Sequence, residues 1–278
     1  MIYLLLAILS SVSVSVVMRL SSKKAPGSYC MLAANYLMCL LIAGSFTGFD
    51  RFFPAQKGLS MTLLLGFCNG LLYLISFILY QRSVKKNGMV LSSTFMKLGL
   101  LVPIALSLLV FWEIPSFLQI VGFVIALFAI VLIQSDGKQT AGKFSFGLIL
   151  LLITGGGANA MSELYDEIGV PALSSQFLLY TFLTAFAVCL AIAAIKKEKP
   201  TRHSLFYGLL IGIPNYFSAR FLLLCLAKVP AFIAHPTYSA LSVCVVSVLG
   251  ICLFCEKLTK RQWLGMGIIL ISLVLLNI

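Results

Sequence analysis

Apolar stretches of about twenty residues recur from one end of this chain to the other, with short polar connections between them. At 1.5 Å per residue, each is long enough as a helix to cross the ~30 Å hydrocarbon layer of a bilayer. Lipid offers no partner for a backbone N–H or C=O, so a crossing segment must satisfy them within itself, which a helix does. The sequence predicts spans over residues 2–20, 28–47, 60–81, 89–111, 116–134, 145–163, 172–195, 204–227, 232–254 and 261–277. That is an all-α polytopic membrane protein with ten transmembrane helices. Composition agrees: 61% of residues are hydrophobic and 10% charged, against roughly 45–50% and about 25% in soluble domains. The first stretch has no basic leading segment and no small-residue cleavage pattern, so it reads as a retained span. The longest connections, such as GFDRFFPAQKGLS, hold no soluble domain, so function is expected inside the bundle or at its rims.

In a soluble chain a net charge of +12 would suggest nucleic acid. In a membrane chain the loops that hold the charge come first, because Lys and Arg mark the cytoplasmic side. Connections after helices 1, 3, 5, 7 and 9 carry 15 Lys and Arg, including Arg19, Lys85, Lys86, Lys196 and Lys257. Those after helices 2, 4, 6 and 8 carry only Arg51, Lys57 and Lys228. The split predicts basic loops in the cytoplasm and both termini outside, for a multi-pass protein of the cytoplasmic (inner) membrane. It leaves no role for nucleic acid. The eight cysteines show no CxxC-plus-His spacing and read as small packing residues, so no metal and no cofactor are predicted.

An internal repeat sets the architecture. WEIPSFLQIVG at 112–122 aligns without gaps to CEKLTKRQWLG at 255–265, pairing Glu113 with Glu256, Gln119 with Gln262 and Gly122 with Gly265. Upstream, GFCNGLLY at 66–73 resembles GIPNYFSA at 212–219 when Asn69 is set on Asn215, and Tyr36 and Tyr180 fall at corresponding depths. The chain therefore reads as two five-helix units, residues 1–137 and 143–278. Five is odd, so the second unit enters the membrane in the opposite sense. Inverted repeats around a central cavity are the geometry of alternating access. Glu113 and Glu256 are expected to cap or latch a tight turn.

These motifs, W-E-x-P-x-x-x-Q-x-x-G and C-E-K-L-T-x-x-Q-x-x-G at the ends of the fourth and ninth helices, resemble the EamA-type branch of the drug/metabolite transporter superfamily, over essentially the whole chain. The resemblance implies a cavity lined by helices 1, 3, 4, 6, 8 and 9, with helices 5 and 10 at the periphery. It also implies both termini inside, the reverse of what the loop charges predict. The first helix is similar to that of the small multidrug resistance proteins, whose A-I-L-A-E and M-K-x-S patterns meet A-I-L-S-S at 7–11 and M-R-L-S at 18–21. Their key glutamate is replaced here by Ser11. No Asp or Glu sits near the middle of any span, so a cationic drug finds no buried counter-charge.

Two cations do lie inside spans. Lys97, in STFMKLGLLVP, is roughly 10 Å from its helix end, and so is Arg220 in NYFSARFLLL, on the other side of the midplane. A lysine at mid-bilayer costs ~2.5–3.5 kcal/mol on insertion scales. Snorkelling is the alternative for either cation taken alone. Together they predict a basic cavity with one cation toward each mouth, complemented by His235 beside Pro236. The polar neighbours are Ser11 and Ser15 at i,i+4, together with Asn69, Asn159 and Asn215. They read either as substrate contacts or as groups joining helix to helix. Tyr73, Tyr216 and Tyr238 offer stacking faces or ordinary core packing. GGGAN at 155–159 permits close backbone approach or a local break, and Pro103, Pro214 and Pro236 interrupt helices 4, 8 and 9.

The expected function is a secondary transporter moving a small organic anion or zwitterion through the lipid bilayer. The nearest alternative is an exporter of neutral or amphiphilic metabolites such as amino acids. A non-transporting membrane scaffold is a third reading, and a monomer suffices for each. An enzyme is not expected, because the chain lacks HExxH, GxSxG and any buried carboxylate pair, and it has no GxxxxGK[ST] segment for ATP.

Overall fold

A computed structural model describes residues 2–22, 24, 28–48, 52–54, 56–102, 116–134, 146–229, 231–256 and 258–275. Among these residues the secondary structure is helical, without strands. The α-helices are α1 (Ile2–Ser21), α2 (Tyr29–Thr47), α3 (Leu59–Asn87), α4 (Met89–Lys97), α5 (Phe117–Gln134), α6 (Phe146–Ile168), α7 (Ser174–Ile195), α8 (Arg202–Leu226), α9 (Ala231–Phe254) and α10 (Lys260–Leu275). A short 3-10 segment, Leu98–Leu100, continues α4. Seven helices among the described residues are long and apolar enough to cross a bilayer: α1, α2, α3, α6, α7, α8 and α9. The chain is thus an all-α polytopic membrane protein. The expected fourth span runs past Val102 into residues 103–115, outside the described set, and so do Pro103 and Glu113.

α3 runs six residues beyond the span read from hydropathy. Its last turn carries Lys85 and Lys86, where cations favour the negative end of the helix dipole. Gly88 stops it with φ 86°, a conformation that glycine alone adopts without penalty. A Cβ there would also meet both carboxylate oxygens of Glu256 at 3.0 Å.

The principal contacts are between helices of residues 1–137 and helices of residues 143–278. α2 packs on α7 and α8, α1 on α8 and α9, α3 on α6 and α7, α4 on α6 and α9, and α5 on α10. Lipid-exposed positions remain apolar, for example Leu5, Leu9, Phe128, Ile153 and Leu264. Hydrophobicity therefore does not drive one helix onto another, and close packing carries the association. The triple glycine of α6 shows how. A Cβ on Gly156 would lie 2.2 Å from the carbonyl oxygen of Gly99, so these backbones touch. α6 is continuous through GGGAN, which settles that segment as close approach and not a break. Pro214 likewise sits inside α8 without ending it.

Two ends of the bundle are defined by side chains that bridge connections. At the basic end, the Glu198 carboxylate accepts from the Ser28 hydroxyl and from the backbone N–H groups of Tyr29 (2.9 Å) and Cys30 (3.3 Å). Arg82 and Lys196 both donate to the Tyr29 hydroxyl. At the opposite end, the Tyr180 hydroxyl donates to the Phe52 carbonyl, and the Lys228 ammonium faces the Tyr3 ring at 5.3 Å.

Candidate functional site

Between the two ends lies a cavity of about 70 Å³, lined from α1, α3, α4, α6, α8 and α9. These are the six helices that the resemblance implied. Ser11, Ser15, Tyr73, Lys97, Asn159, Asn215 and Tyr238, all singled out from sequence, line it.

Lys97 closes α4, and its Nζ sits 3.7 Å from the centroid of the Tyr238 ring. A cation over an aromatic face gains roughly 0.5–2 kcal/mol depending on desolvation. The Tyr238 hydroxyl bonds to Ser218 Oγ at 3.0 Å, which fixes the ring under the ammonium. The ion pairs Arg19–Glu256 and His235–Glu163 do not engage Lys97. The cavity's charge is therefore positive and met by a π-face, not by a carboxylate.

A hydroxyl relay runs along one wall. Ser93 Oγ donates to Ser15 Oγ at 3.1 Å and bonds to the Tyr80 hydroxyl at 2.7 Å. Ser76 Oγ is buried, lines the same cavity and has no hydrogen-bond partner. Asn215 Nδ2 donates across to Asn35 Oδ1 of α2 at 3.1 Å, so it joins helices as well as lining the cavity. Sequence reading missed Ser76, Tyr80 and Ser93. Helical spacing held the signal. Ser93 precedes Lys97 by four residues, and Tyr73, Ser76 and Tyr80 recur at three and four.

Four other expected residues lie elsewhere. Arg220 lines a separate cavity of about 90 Å³ with Tyr165, Asp166 and Ser174. Its Nη1 donates to Ser175 Oγ at 2.7 Å, and its guanidinium faces the Phe46 ring at 5.4 Å. Asn69 is buried and donates from Nδ2 to Thr181 Oγ1 at 3.3 Å, stitching α3 to α7. Tyr216 is fully buried against Phe46, Phe182 and Phe217. His235 is buried near the start of α9, with Nε2 3.8 Å from Glu163 Oε2. One basic cavity with a cation at each mouth is thus replaced by two cavities, each holding one cation.

At the basic end Glu256 does what a cap requires. Oε1 accepts from the Met89 N–H at 2.7 Å and Oε2 from the Val90 N–H at 3.0 Å, satisfying two donors that α4 cannot satisfy itself. Oε1 also pairs with Arg19 Nε at 3.0 Å. These groups border a polar cleft of about 340 Å³ that includes Lys85, Lys86 and Gln262. Glu198 is the analogous cap on α2, and sequence reading passed over it because it sits in a run of lysines.

Comparison with known proteins adds three findings. Residues 143–278 match the EamA-like transporter family. An uncharacterized protein of Haemophilus influenzae (strain ATCC 51907 / DSM 11121 / KW20 / Rd) is 25% identical over 276 residues, covering 94% of this chain and 92% of its own. A crystal structure superimposes with a TM-score of 0.63 at 12% identity, covering 99% of this chain and 94% of that one, a likeness of fold.

Proposed function

We propose that this chain, whose residues 143–278 match the EamA-like transporter family, is a transporter of that kind and moves a small organic anion or zwitterionic metabolite by secondary, alternating-access transport. Lys97 binds the negative charge, and Ser11, Ser15, Ser76, Ser93 and Asn159 supply hydroxyl and amide contacts around it. The observation that carries this reading is the Lys97 ammonium on the wall of the central cavity, engaged by the Tyr238 ring and not by the ion pairs Arg19–Glu256 and His235–Glu163. Lys97 is partly buried, a cation so placed lacks part of its hydration, and an arriving carboxylate offsets that loss. Arg220, in its own cavity toward the opposite end, serves as a second station on the path. The five-plus-five repeat supplies two inverted units that exchange conformations around Lys97. The basic loops face the cytoplasm.

A second reading, export of neutral or amphiphilic metabolites such as amino acids, draws on the same contact: an ammonium already seated on a ring is partly satisfied and serves to shape the gate. A thermal-shift screen of purified protein separates the two. Organic anions, amino acids, nucleosides and cationic dyes are tested on the unchanged protein and on Lys97→Gln. Stabilisation by carboxylates that disappears in Lys97→Gln supports the anion reading. Stabilisation by cations alone, or by ligands indifferent to the substitution, rejects it.

A further inference from the structure

The central cavity constrains its ligand in more ways than through the charge of Lys97. Its volume of about 70 Å³ corresponds to roughly five to seven water-sized spheres. Among the described residues that line it, Lys97 is the one with a formal charge, and no Asp or Glu joins it. A negative group on a ligand therefore meets an opposite charge there, and a positive group does not.

Each hydroxyl has one hydrogen to donate, and along the cavity wall several of these are committed. Ser15 Oγ donates to the Ser11 carbonyl at 3.2 Å, and Ser93 Oγ donates to Ser15 Oγ at 3.1 Å. The 2.7 Å bond between Tyr80 and Ser93 must then run from the tyrosine. In the same way Ser218 Oγ donates to the Ala7 carbonyl at 3.4 Å, so Tyr238 is the donor in its 3.0 Å bond to Ser218. Both chains end on backbone carbonyls, and what their oxygens have left for a ligand is lone pairs. Ser76 Oγ differs, because it is buried without a partner. A Cβ on Gly155 would stand 3.6 Å from it, so α6 puts no side chain over the hydroxyl at that position. A buried hydroxyl in this state calls for a partner.

We propose that the cavity selects a short hydroxycarboxylate, of about three to four carbons, over the amino acid and the plain carboxylate of similar size. This rests on the reading of Lys97 as the partner of the substrate's negative charge, and narrows it. The carboxylate accepts from the Lys97 ammonium and the Ser76 hydroxyl. The substrate hydroxyl donates to lone pairs of the Tyr80–Ser93–Ser15 chain. A plain carboxylate leaves those oxygens unmatched. An amino acid brings a second ammonium into a cavity whose charge is already positive.

The test is titration calorimetry on the purified full-length protein in detergent with lactate, alanine, propanoate and phenyllactate. Lactate is expected to bind at least about tenfold more tightly than each of the other three. Ser93→Ala breaks the hydroxyl chain, so it should bring lactate to within about threefold of propanoate while propanoate itself changes by less than about twofold. Tyr80→Phe serves the same purpose if the Ser93 variant does not fold. Absence of lactate binding, any of the other three binding as tightly as lactate, or a lactate preference that survives the substitution overturns the proposal. Lys97→Gln distinguishes that failure from failure of the reading beneath it. If the carboxylates that bind lose affinity in Lys97→Gln, the charge assignment stands and only the hydroxyl assignment falls. Indifference of every ligand to Lys97→Gln overturns both.

Discussion

Arg19 of α1 and Glu256, just past the end of α9, meet at 3.0 Å, and the same carboxylate caps α4 through Met89 and Val90. One side chain thus ties three helices at the basic end. It is only 8% exposed. Glu256→Ala removes the cap and leaves Arg19 without its anion, so it is expected to destabilise the protein by about 2–4 kcal/mol. Arg19→Gln keeps the cap and should lose about 1 kcal/mol. Unfolding followed with a thiol-reactive dye reads both, because Cys39 and Cys189 are buried. Equal loss from the two substitutions would show that the pair, not the cap, matters.

Gly156→Ala tests the α4–α6 contact. The added methyl would meet the Gly99 carbonyl oxygen at 2.2 Å, and backbone cannot step aside cheaply. A loss of about 2 kcal/mol or more is expected. Gly147→Ala in the same helix meets nothing within 4 Å, so it should be neutral or gain up to about 1 kcal/mol from helix propensity. Comparing melting temperatures of the two variants in one detergent checks the contrast.

Replacing Lys97 by Gln should weaken binding of a carboxylate ligand by about 10–100-fold, the worth of a charge-assisted contact. Tyr238→Phe keeps the aromatic face and drops only the bond to Ser218, so its effect should stay within about threefold. Tyr238→Leu removes the face and should exceed it. Titration calorimetry with the best ligand from the screen orders the three.

Arg220 occupies a different cavity from Lys97. Arg220→Gln is therefore expected to leave equilibrium affinity within about twofold while lowering the transport rate about tenfold or more. Flux in proteoliposomes, set beside binding in detergent, checks the split. An affinity loss as large as that of Lys97→Gln would place both cations on one bound ligand.

Hydropathy made the helices legible, because lipid leaves the backbone one solution per span. Their ends were harder to read. The extra turns of α3 are rich in charge and look like loop by composition, yet lysines at a helix C-terminus reach the headgroup layer while the backbone stays helical. Polarity within a span was also legible, and Lys97, Ser11, Ser15 and Asn159, singled out on that ground, line one cavity. Azimuth was not. Asn69 and Arg220 have suitable depths, but Thr181 of α7 claims the first and Ser175 with Phe46 claims the second. Those partners lie more than forty residues away in the chain, and only packing reveals them. Ser76 and Ser93 were passed over because a lone hydroxyl in a span is ordinary; the bonds of Ser93 to Tyr80 and Ser15 set it apart, and Ser76 is marked by its place on the cavity wall.

The way helices of residues 1–137 lean chiefly on helices of residues 143–278 has a consequence for biogenesis. A ribosome that has delivered only the first five segments has released a set of helices whose best partners have not been made. Such a precursor must wait in the bilayer, shielded by the insertion machinery, and if synthesis stops there it is destined for proteolysis rather than for partial activity.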